Sequence, residues 1–338
     1  MSRGAELADT LEECGSLAIV CHDNPDPDTL ASALALEAIA LRQGVTDVAI
    51  VYGGEISHQQ NRAFVTLLEL EVERLEHLAD EDYECMAFVD HSRHGATTSL
   101  SPAYTPDIVV DHHPGDPIDA TFVDVRTDYG ATATIFVEYL LDLEIEPSTR
   151  LASALLFALH RERLDFVRDP TRQEYEAALA VYPNADLEVL DQLYGSAFSP
   201  ATIDAIGRAI TSRDRRGSTV VASVGRTPET DALPQAADYL LNIEGVDTVL
   251  TYGVIDGRIR LSGRSIDPDI DVGTILESAY GDLGSAGGHH DMAGGRIDLS
   301  LFVDEANDGD DLLDSIDRRV TGRFFESLGL DAGSETQA

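Results

Sequence analysis

The sequence predicts an α/β protein of two domains, the first built on a mainly parallel sheet with helices on both faces. Three observations predict this class. Apolar, β-prone runs alternate with segments of helical periodicity between residues 5 and 182. Three of these apolar runs end directly at groups of Asp and His. After residue 217 the pattern changes to short strands and turn-rich segments, and 338 residues are enough for a second domain.

The elements of the first domain follow from these patterns in chain order. Helical periodicity predicts a helix over residues 5–14, and the apolar run at 16–21 predicts the first strand. A second helix over 28–43 ends before Gly44, a residue type that favours helix ends. The remaining predicted elements are a strand at 47–52, a helix near 57–69, two strands that end at Asp90 and Asp111, and helices at 130–142, 148–161 and 172–182.

The second domain has the composition of a smaller α/β unit with a mixed sheet. A hairpin is predicted over 247–265, since Asp256-Gly257 is a strong turn signal between two β-prone runs. The helix predicted at 200–213 precedes this domain. The other predicted elements are a strand at 218–225, helices at 234–243 and 272–280, a Gly-rich loop at 284–295, a strand at 296–303 and a helix at 310–328. The predicted division is a first domain at 1–185, a helical linker at 186–217, a second domain at 218–330 and a disordered tail at 331–338.

The charge balance is extremely acidic. The formal net charge is −39, with 62 acidic residues against 23 Arg and no Lys. Because the acids are interspersed with regular apolar patterns, intrinsic disorder is excluded. The composition instead indicates a folded protein with a hydrated acidic surface, as in organisms with a salt-rich cytoplasm. It also argues against binding long duplex nucleic acid, which needs many cations, but permits a short nucleotide held by a few Arg.

Cysteine content and hydropathy bear on the compartment. We predict that Cys14, Cys21 and Cys85 are buried free thiols in a reducing compartment, because their number is odd and no CxxC occurs. No segment reaches the ~18 apolar residues of a transmembrane helix, and the N-terminus has no signal-peptide pattern. The expectation is a soluble, cytoplasmic protein.

Potential metal ligands follow three of the predicted strands. They are His22, Asp26 and Asp28 in CHDNPDPD, Asp90 and His91 in FVDHS, and Asp111, His112 and His113 in VVDHH. Ligands bind outside the carboxyl ends of strands in an open α/β sheet, so these groups are predicted to converge on one pocket. Carboxylates with imidazoles suit Mn²⁺, Mg²⁺, Fe²⁺ or Zn²⁺, and there are enough of them for two ions. Taken alone, CHDNPDPD also fits an acidic turn with an Asp N-cap.

Individual roles follow from position. Asp90 ends a strand with a carboxylate that could bridge two ions. His91 is predicted to be structural, because adjacent strand residues point to opposite faces. Of the two consecutive imidazoles, one could ligate metal while the other meets substrate, with Asp111 orienting an imidazole.

These residues resemble the DHH phosphoesterase superfamily, which includes RecJ-like exonucleases, nano-RNase/pAp phosphatases and family II pyrophosphatases. In the second domain, LSGRS at 261–265 and GSAGGHHDMAGG at 284–295 resemble the signatures of the associated DHHA1 domain. The resemblance implies two Mn²⁺ ions, with Mg²⁺ or another divalent ion possible, and a nucleophilic water between them. It implies that His22, Asp26 and Asp90 hold one ion, that Asp28, Asp90 and His112 help to hold the other, and that His113 contacts phosphate with Asp111 in support.

The sequence departs from the superfamily pattern at its fourth motif, where an Asp-Thr pair supplies the last ligand. The equivalent stretch, LHRERLDF at 159–166, places Glu162 at the Asp position and Arg163 at the Thr position. Glu162 is therefore the predicted ligand, with Asp165 as the alternative. A surface acid at a helix end is the other interpretation of Glu162.

The resemblance places substrate-binding residues in the second domain. Arg264 and Ser265 lie in SGRS, and Arg presents a fork that matches a phosphate. Gly287, Gly288 and His289 lie in a Gly-rich loop whose backbone N–H groups could approach an anion. Alternatively, the Arg forms only a surface salt bridge, and the glycines form an ordinary turn.

The function that this resemblance implies is hydrolysis of short oligonucleotides, linear dinucleotides or 3′-phosphoadenosine 5′-phosphate (pAp). A RecJ-like exonuclease is the nearest alternative enzyme, although basic strand-binding surface is missing from the sequence. A family II pyrophosphatase is disfavoured because its second domain uses a Lys-containing signature. A nucleotide-binding protein with a degraded metal site is the alternative of another class. A homodimer is possible.

Overall fold

The computed structural model describes residues 2–77, 83–95, 97–162, 165–166, 170–196, 198–303 and 309–330. The chain divides into two compact units, Met1–Ala197 and Phe198–Ala338. The division falls inside the predicted linker at 186–217. The predicted tail at 331–338 lies outside the described residues.

Unit 1 is built on a six-stranded parallel sheet. Its strands are β1 Ser16–Val20, β2 Asp47–Tyr52, β3 Glu73–Arg74, β4 Cys85–Val89, β5 Ile108–Asp111 and β6 Phe122–Val125. The order is β3-β2-β1-β4-β5-β6, with every neighbouring pair parallel. The chain runs outward from β1 in both directions, so β1, β4 and β5 lie side by side. The three strands that carry the Asp and His groups are therefore neighbours in the sheet.

One face of this sheet carries the helices of unit 1. They are α1 Arg3–Leu11, α2 Pro27–Arg42, α3 Gln59–Leu67, α4 Thr132–Asp142, α5 Thr149–Glu162, α6 Arg172–Val181 and α7 Leu187–Gly195. Their apolar residues form a single core with alternate residues of the strands, such as Leu17, Ile19 and Val110. Helix α2 is buried over most of its surface because it packs against the sheet, α4 and α5.

The opposite face of the sheet differs from the prediction of helices on both faces. Its core residues, which include Val20, Phe88 and Val109, pack against Leu100 and Tyr104 from the connecting segments. The segments that follow β3, β4 and β5 therefore cover this face, and the sequence pattern did not show which side each connection would take.

Unit 2 contains a mixed six-stranded sheet between two helical layers. Its elements are α8 Pro200–Ser212, β7 Asp214–Arg216, β8 Thr219–Arg226, α9 Ala232–Leu240, β9 Thr248–Ile255, β10 Arg258–Ser265, α10 Val272–Tyr280, β11 Gly284–Gly288, β12 Met292–Asp298, α11 Ser300–Val303 and α12 Gly309–Ser327. The strand order is β11-β12-β10-β9-β8-β7, in which only the β8–β9 pair is parallel among the described residues. Helices α8 and α9 pack on one face, and α10 and α12 pack on the other. The predicted α/β class, with a parallel first sheet and a mixed second sheet, is confirmed.

The Gly-rich segment is a hairpin rather than the predicted loop at 284–295. Strands β11 and β12 pair closely here, and a Cβ at Gly288 would lie 2.5 Å from the Cα of Ala293. Glycine therefore permits the strand pairing instead of marking a loop. The predicted strand at 296–303 also needs correction, because β12 ends at Asp298, whose carboxylate accepts a hydrogen bond of 2.9 Å from the N–H of Ser300 at the start of α11.

The prediction of three free thiols is wrong for two of them. Cys14 and Cys85 form a disulfide that joins the segment before β1 to the start of β4. Cys21 is a buried free thiol, as predicted. Spacing alone did not reveal the pair, since the two cysteines meet only when β1 and β4 align in the sheet. Among the described residues, no helix is long and apolar enough to cross a membrane.

Candidate metal centre

The carboxyl ends of β1, β4 and β5 form one wall of a cavity of about 380 Å³. The cavity gathers most of the residues predicted to bind metal. It is lined by His22, Asp26, Asp90, His91, Ser92, Arg93, Thr97, Asp111, His112, His113, Pro114 and Glu162.

Asp90 is the central carboxylate of this cavity. The Nε2 atom of His22 lies 3.6 Å from its Oδ2, and the Nε2 atom of His112 lies 3.7 Å from its Oδ1. Each oxygen of one buried carboxylate thus faces a different imidazole. This is the arrangement expected of a ligand shared by two cations.

Backbone carbonyls fix the orientation of both imidazoles. The Nδ1 atom of His22 is 2.9 Å from the carbonyl oxygen of Asp23, and that of His112 is 3.2 Å from the carbonyl oxygen of Tyr129. In each pair the ring nitrogen is the donor, so a proton sits on Nδ1 and Nε2 is the atom left to bind a cation. Both Nε2 atoms therefore face Asp90, and the hydrogen bonds at Nδ1 orient the rings in the way found for metal-bound histidines.

Two helix N-termini hold the Asp90 carboxylate in place. The hydroxyl of Thr29, in the first turn of α2, donates to Oδ2 at 2.6 Å, and the hydroxyl of Thr132, at the start of α4, donates to Oδ1 at 2.8 Å. Asp90 also has a φ of +61°, which is unusual for a residue other than glycine. Such backbone strain is retained where the surroundings determine it, commonly at functional sites.

Asp28 connects the site to the start of α4. Its two oxygens accept hydrogen bonds of 2.8 Å from the N–H groups of Thr132 and Ala133, while Oδ2 lies 3.9 Å from Nε2 of His112. The buried Glu174 supports the same turn by accepting a bond of 2.7 Å from the N–H of Gly130. Asp28 therefore caps a helix and also faces a predicted metal ligand.

Negative charge accumulates in this buried site. Burial raises the pKa of Asp28 well above its usual value, and the charges of Asp90 and Glu162 act in the same direction. A divalent cation would offset this repulsion between carboxylates. The donor set, with oriented imidazoles and crowded buried carboxylates, therefore fits a divalent metal.

The four imidazoles of the site divide into two with raised pKa values, His22 and His113, and two with lowered pKa values, His91 and His112. Burial favours the neutral form of His22, but its pairing with the Asp90 carboxylate and the charge of Asp26 outweigh burial and raise its pKa to about 9. Burial lowers the pKa of His112. Burial also lowers the pKa of His91 to about 4, while its Nδ1 donates a bond of 3.0 Å to the carbonyl oxygen of Val89.

His113 is tied to Asp111. The backbone N–H and the Nδ1 of His113 lie 3.0 Å and 2.9 Å from Oδ1 of Asp111, and this pairing raises the pKa of the imidazole to about 9. About half of the His113 side chain is exposed, at 54%. Because Nδ1 is occupied by Asp111, Nε2 is the atom left to contact a ligand.

Among the residues that the structure describes, two groups of donor atoms are compact enough to hold an ion. Within His22, Asp26 and Asp90 the donor atoms lie within 4.8 Å of one another, which matches the first predicted ligand set. The second compact group is Asp90, His112 and His113, whereas the prediction used Asp28 in place of His113. We favour Asp28 at this position because Nδ1 of His113, the atom nearest Asp90, already donates to Asp111.

The fourth predicted motif brings Glu162 to the cavity. Glu162 ends α5, and its charge contributes to the raised pKa values of both Asp28 and His113. The alternative ligand, Asp165, instead accepts a hydrogen bond from the Tyr194 hydroxyl. Arg163 lies outside the described residues.

Sequence reasoning missed several supporting groups. It assigned no role to the start of α4, to Thr29 or to Glu174. Thr29 directly follows Asp28, so a Thr after a ligand-like Asp at a helix start was the available signal. Glu174 gave no such signal, because its partner lies more than forty residues away.

The predicted substrate-binding residues of unit 2 lie at one end of its sheet. Arg264 pairs across the ladder with Met292, whose carbonyl accepts a bond of 2.8 Å from the N–H of His289. Arg264 also forms an ion pair of 3.0 Å with Asp238. Ser265 is buried, and its hydroxyl lies 3.1 Å from that of Thr248. Gly287 and Gly288 belong to β11, and His289 follows them as an exposed residue.

The fold and this site together define an α/β protein with a carboxylate–imidazole centre at the carboxyl edge of a parallel sheet. Residues 16–159 match the model of the DHH family, N-terminal domain, and residues 217–322 match that of the DHHA1 domain. The chain therefore carries a DHH family N-terminal domain followed by a DHHA1 domain.

Proteins from two organisms are similar to this chain over most of its length. An uncharacterized protein of Methanocaldococcus jannaschii is 34% identical over 322 residues, which are 94% of this chain and 65% of that protein. A probable manganese-dependent inorganic pyrophosphatase of Listeria monocytogenes is 29% identical over 71% of this chain and 78% of its own length.

Two solved structures share the fold. An exopolyphosphatase-related protein from Bacteroides fragilis has a TM-score of 0.73 at 13% identity, covering 96% of this chain and 97% of that one. RecJ from Thermus thermophilus in complex with Mn²⁺ has a TM-score of 0.51 at 15% identity, covering 98% of this chain and 60% of that one.

Proposed function

We propose that this protein is a two-metal phosphoesterase that hydrolyses short oligonucleotides, linear dinucleotides or pAp. The observation that carries the proposal is the position of Asp90 between the Nε2 atoms of His22 and His112. The names of the relatives support Mn²⁺, since one is a probable manganese-dependent pyrophosphatase and another is a RecJ bound to Mn²⁺.

The chain's own residues divide into ligands and substrate contacts. His22, Asp26 and Asp90 would hold one cation; Asp28, Asp90 and His112, with Glu162, would hold the other. Two cations bound there would polarise the phosphate and lower the pKa of water. Thr29 and Thr132 would keep the shared carboxylate fixed between them.

His113 is suited to contact the phosphate directly. Its pKa of about 9 keeps the imidazole protonated at neutral pH, and its Nδ1 donates to Asp111. The remaining N–H, on Nε2, would then donate a charge-assisted hydrogen bond to a phosphate oxygen. Asp111 would fix the ring for that contact.

A short substrate is favoured by the charge of the chain. With a net charge of −39, long-range attraction for a long polyanion is missing, so recognition would rest on local contacts. Arg264, Ser265, Gly287, Gly288 and His289 in the DHHA1 domain are the proposed contacts for a terminal phosphate.

A second candidate is inorganic pyrophosphatase activity, favoured by the 29% identity to the Listeria protein over most of its length. The DHHA1 match and the absence of Lys weigh against it, because a pyrophosphatase of this kind would use a Lys-containing second domain. A RecJ-like exonuclease and a non-catalytic nucleotide-binding protein are the other outcomes to be tested.

The test is hydrolysis with Mn²⁺ in molar KCl, a salt chosen for the acidic surface. A series of 5′-labelled RNAs from dinucleotides to long strands, together with pAp and pyrophosphate, would be compared for the wild type and the His112→Ala variant. Rapid cleavage of the shortest RNAs or of pAp, lost in the variant, is the expected result. Preference for long strands would favour the exonuclease, and turnover of pyrophosphate alone would favour the pyrophosphatase. Nucleotide binding without any turnover would favour the non-catalytic protein.

A further inference from the structure

We infer that Arg260 and Arg296 form a further phosphate-binding site on the sheet of unit 2, which takes a second phosphate of a short oligonucleotide. The inference rests on the proposed function, because it concerns the same substrate. Arg260 in β10 and Arg296 in β12 are direct partners in the antiparallel register. Directly opposed residues point to the same face, with Cβ atoms about 5 Å apart, so two cations stand side by side.

The neighbouring cross-strand pair on the same two strands combines opposite charges instead of like charges. Two residues before Arg260 along β10, Arg258 faces Asp298, an opposite-charge pair of the kind that stabilises a sheet. Like charges directly opposite each other are unfavourable. In a chain with 62 acidic residues and 23 Arg, an unopposed Arg–Arg pair indicates that an anion from outside the chain neutralises it.

The contacts of Arg260 and Arg296 also indicate that they bind an external anion. In the described ranges, neither Arg260 nor Arg296 forms an ion pair, whereas Arg323 in the same unit is paired with Asp282. The Nε atom of Arg260 is buried without an acceptor. A buried donor of a charged group without an acceptor is costly, and a phosphate oxygen would supply that acceptor.

The surface around the pair is open to an extended ligand. Side chains at alternate positions of a strand share a face, so Arg260 and Arg264 belong to the same row of β10. On the neighbouring strand β12, Gly294 lies opposite the position midway between these two arginines. A Cβ atom added at Gly294 would lie no closer than 3.6 Å to any described atom, so the surface here is open. Gly294 and Arg296 are exposed, while α8 and α9 cover the part of this face formed by β8 and β9.

The spacing of the row identifies the kind of ligand. Arg260 and Arg264 are four residues apart on one strand, which corresponds to about 13 Å between their Cα atoms. One phosphate could not contact both, but successive phosphates of a chain could. The guanidinium fork matches phosphate oxygens in pairs. The row therefore favours an oligonucleotide over a single nucleotide within the proposed substrate range.

The test is binding by the full chain without metal, so that no substrate is consumed. Affinities for 5′-labelled pentaribonucleotide and for a labelled nucleoside monophosphate would be measured in EDTA and molar KCl by fluorescence anisotropy. The Arg296→Gln variant should bind the pentamer about tenfold more weakly, as for loss of a charge-assisted hydrogen bond, and bind the monophosphate unchanged. Arg258→Gln, which removes the same charge from the acid-paired position, is the matched control and should bind both as the wild type does. Arg260→Gln should behave like Arg296→Gln, with thermal melts showing that each variant is folded.

Each outcome separates this inference from the proposed function. Equal loss for Arg296→Gln and Arg258→Gln, or no loss for either, would overturn the inference even if the protein hydrolyses RNA. A specific loss for Arg296→Gln without any hydrolysis by the metal-loaded wild type would support it while the proposed function failed. Unlabelled tripolyphosphate should compete with the pentamer for the wild type; if it did not, the pair would not be recognising phosphate, and the inference would be wrong.

Discussion

The hydroxyl of Thr132 donates a hydrogen bond of 2.8 Å to Oδ1 of Asp90, from the first residue of a helix to the residue that follows a strand. Thr29 makes the equivalent bond to Oδ2 from the first turn of α2. The carboxylate proposed to be shared by two cations is therefore fixed from both sides before any cation binds. Pre-orientation of this kind increases metal affinity because less conformational freedom is lost on binding.

Removing this hydroxyl should weaken metal binding without unfolding the protein. Thr132→Val keeps the side-chain shape but cannot donate to Asp90, so we expect Mn²⁺ affinity to fall by at least about tenfold. Isothermal titration calorimetry on metal-free protein measures the effect. Thr132→Ser retains the hydroxyl and should bind Mn²⁺ nearly as the wild type does. If the Val and Ser variants bound equally, the hydroxyl would have no role in positioning Asp90.

The sequence predicted the strands of this site better than their supports. Apolar runs ending in Asp or His placed β1, β4 and β5 correctly, because neighbouring parallel strands present their carboxyl ends at one edge. The two hydrogen bonds that Asp28 accepts from the start of α4 join residues 104 and 105 positions apart in the sequence. No local pattern encodes them. The Gly-rich segment was misjudged for a related reason: only the partner strand shows that its glycines allow close pairing.

The two proposed metal positions should be separable by single His substitutions. His22→Ala and His112→Ala each remove the imidazole of one ligand group, so each variant should bind one Mn²⁺ per chain where the wild type binds two. His113→Ala should still bind two, because its Nδ1 is bonded to Asp111. Equilibrium dialysis with metal analysis gives the stoichiometry. A count of one for His113→Ala would assign that residue to the second ion in place of our ligand set.

Mn²⁺ binding should release protons at neutral pH. The pKa of about 9 means that His22 is protonated in the metal-free protein at pH 7, whereas only the neutral imidazole binds a cation. Mn²⁺ affinity should therefore rise with pH up to about 9, by about tenfold per pH unit for each proton displaced. Calorimetric titrations at pH 7 in two buffers with different heats of ionisation count the protons. Binding heats that do not depend on the buffer would contradict this assignment of charge.

Substitution by Asn should destabilise the fold at Asp28 but not at Asp26. Both oxygens of the buried Asp28 accept backbone N–H bonds, and an amide can accept only one of these and would turn its NH₂ toward the other donor. Asp28→Asn should lower the free energy of unfolding of the metal-free protein by about 1–3 kcal/mol. Asp26 accepts one N–H bond, from Thr29, as a helix N-cap, and Asn serves that position equally well. Asp26→Asn should therefore unfold as the wild type does in urea. Equal destabilisation by the two variants would show that the capping of α4 by Asp28 is not what stabilises the fold.

The Cys14–Cys85 disulfide should stabilise unit 1 through the unfolded chain. It closes a loop with a sequence separation of 71 residues, and the loss of loop-closure entropy for this length corresponds to about 4 kcal/mol. The Cys14→Ser/Cys85→Ser double variant should lose up to this amount of its free energy of unfolding in urea, while its Mn²⁺ stoichiometry stays unchanged. Thiol titration gives an independent check. The protein denatured without reductant should show one reactive thiol, from Cys21, and three after reduction. Three reactive thiols without reductant would mean that the pair is not oxidised, and the double variant should then be as stable as the wild type.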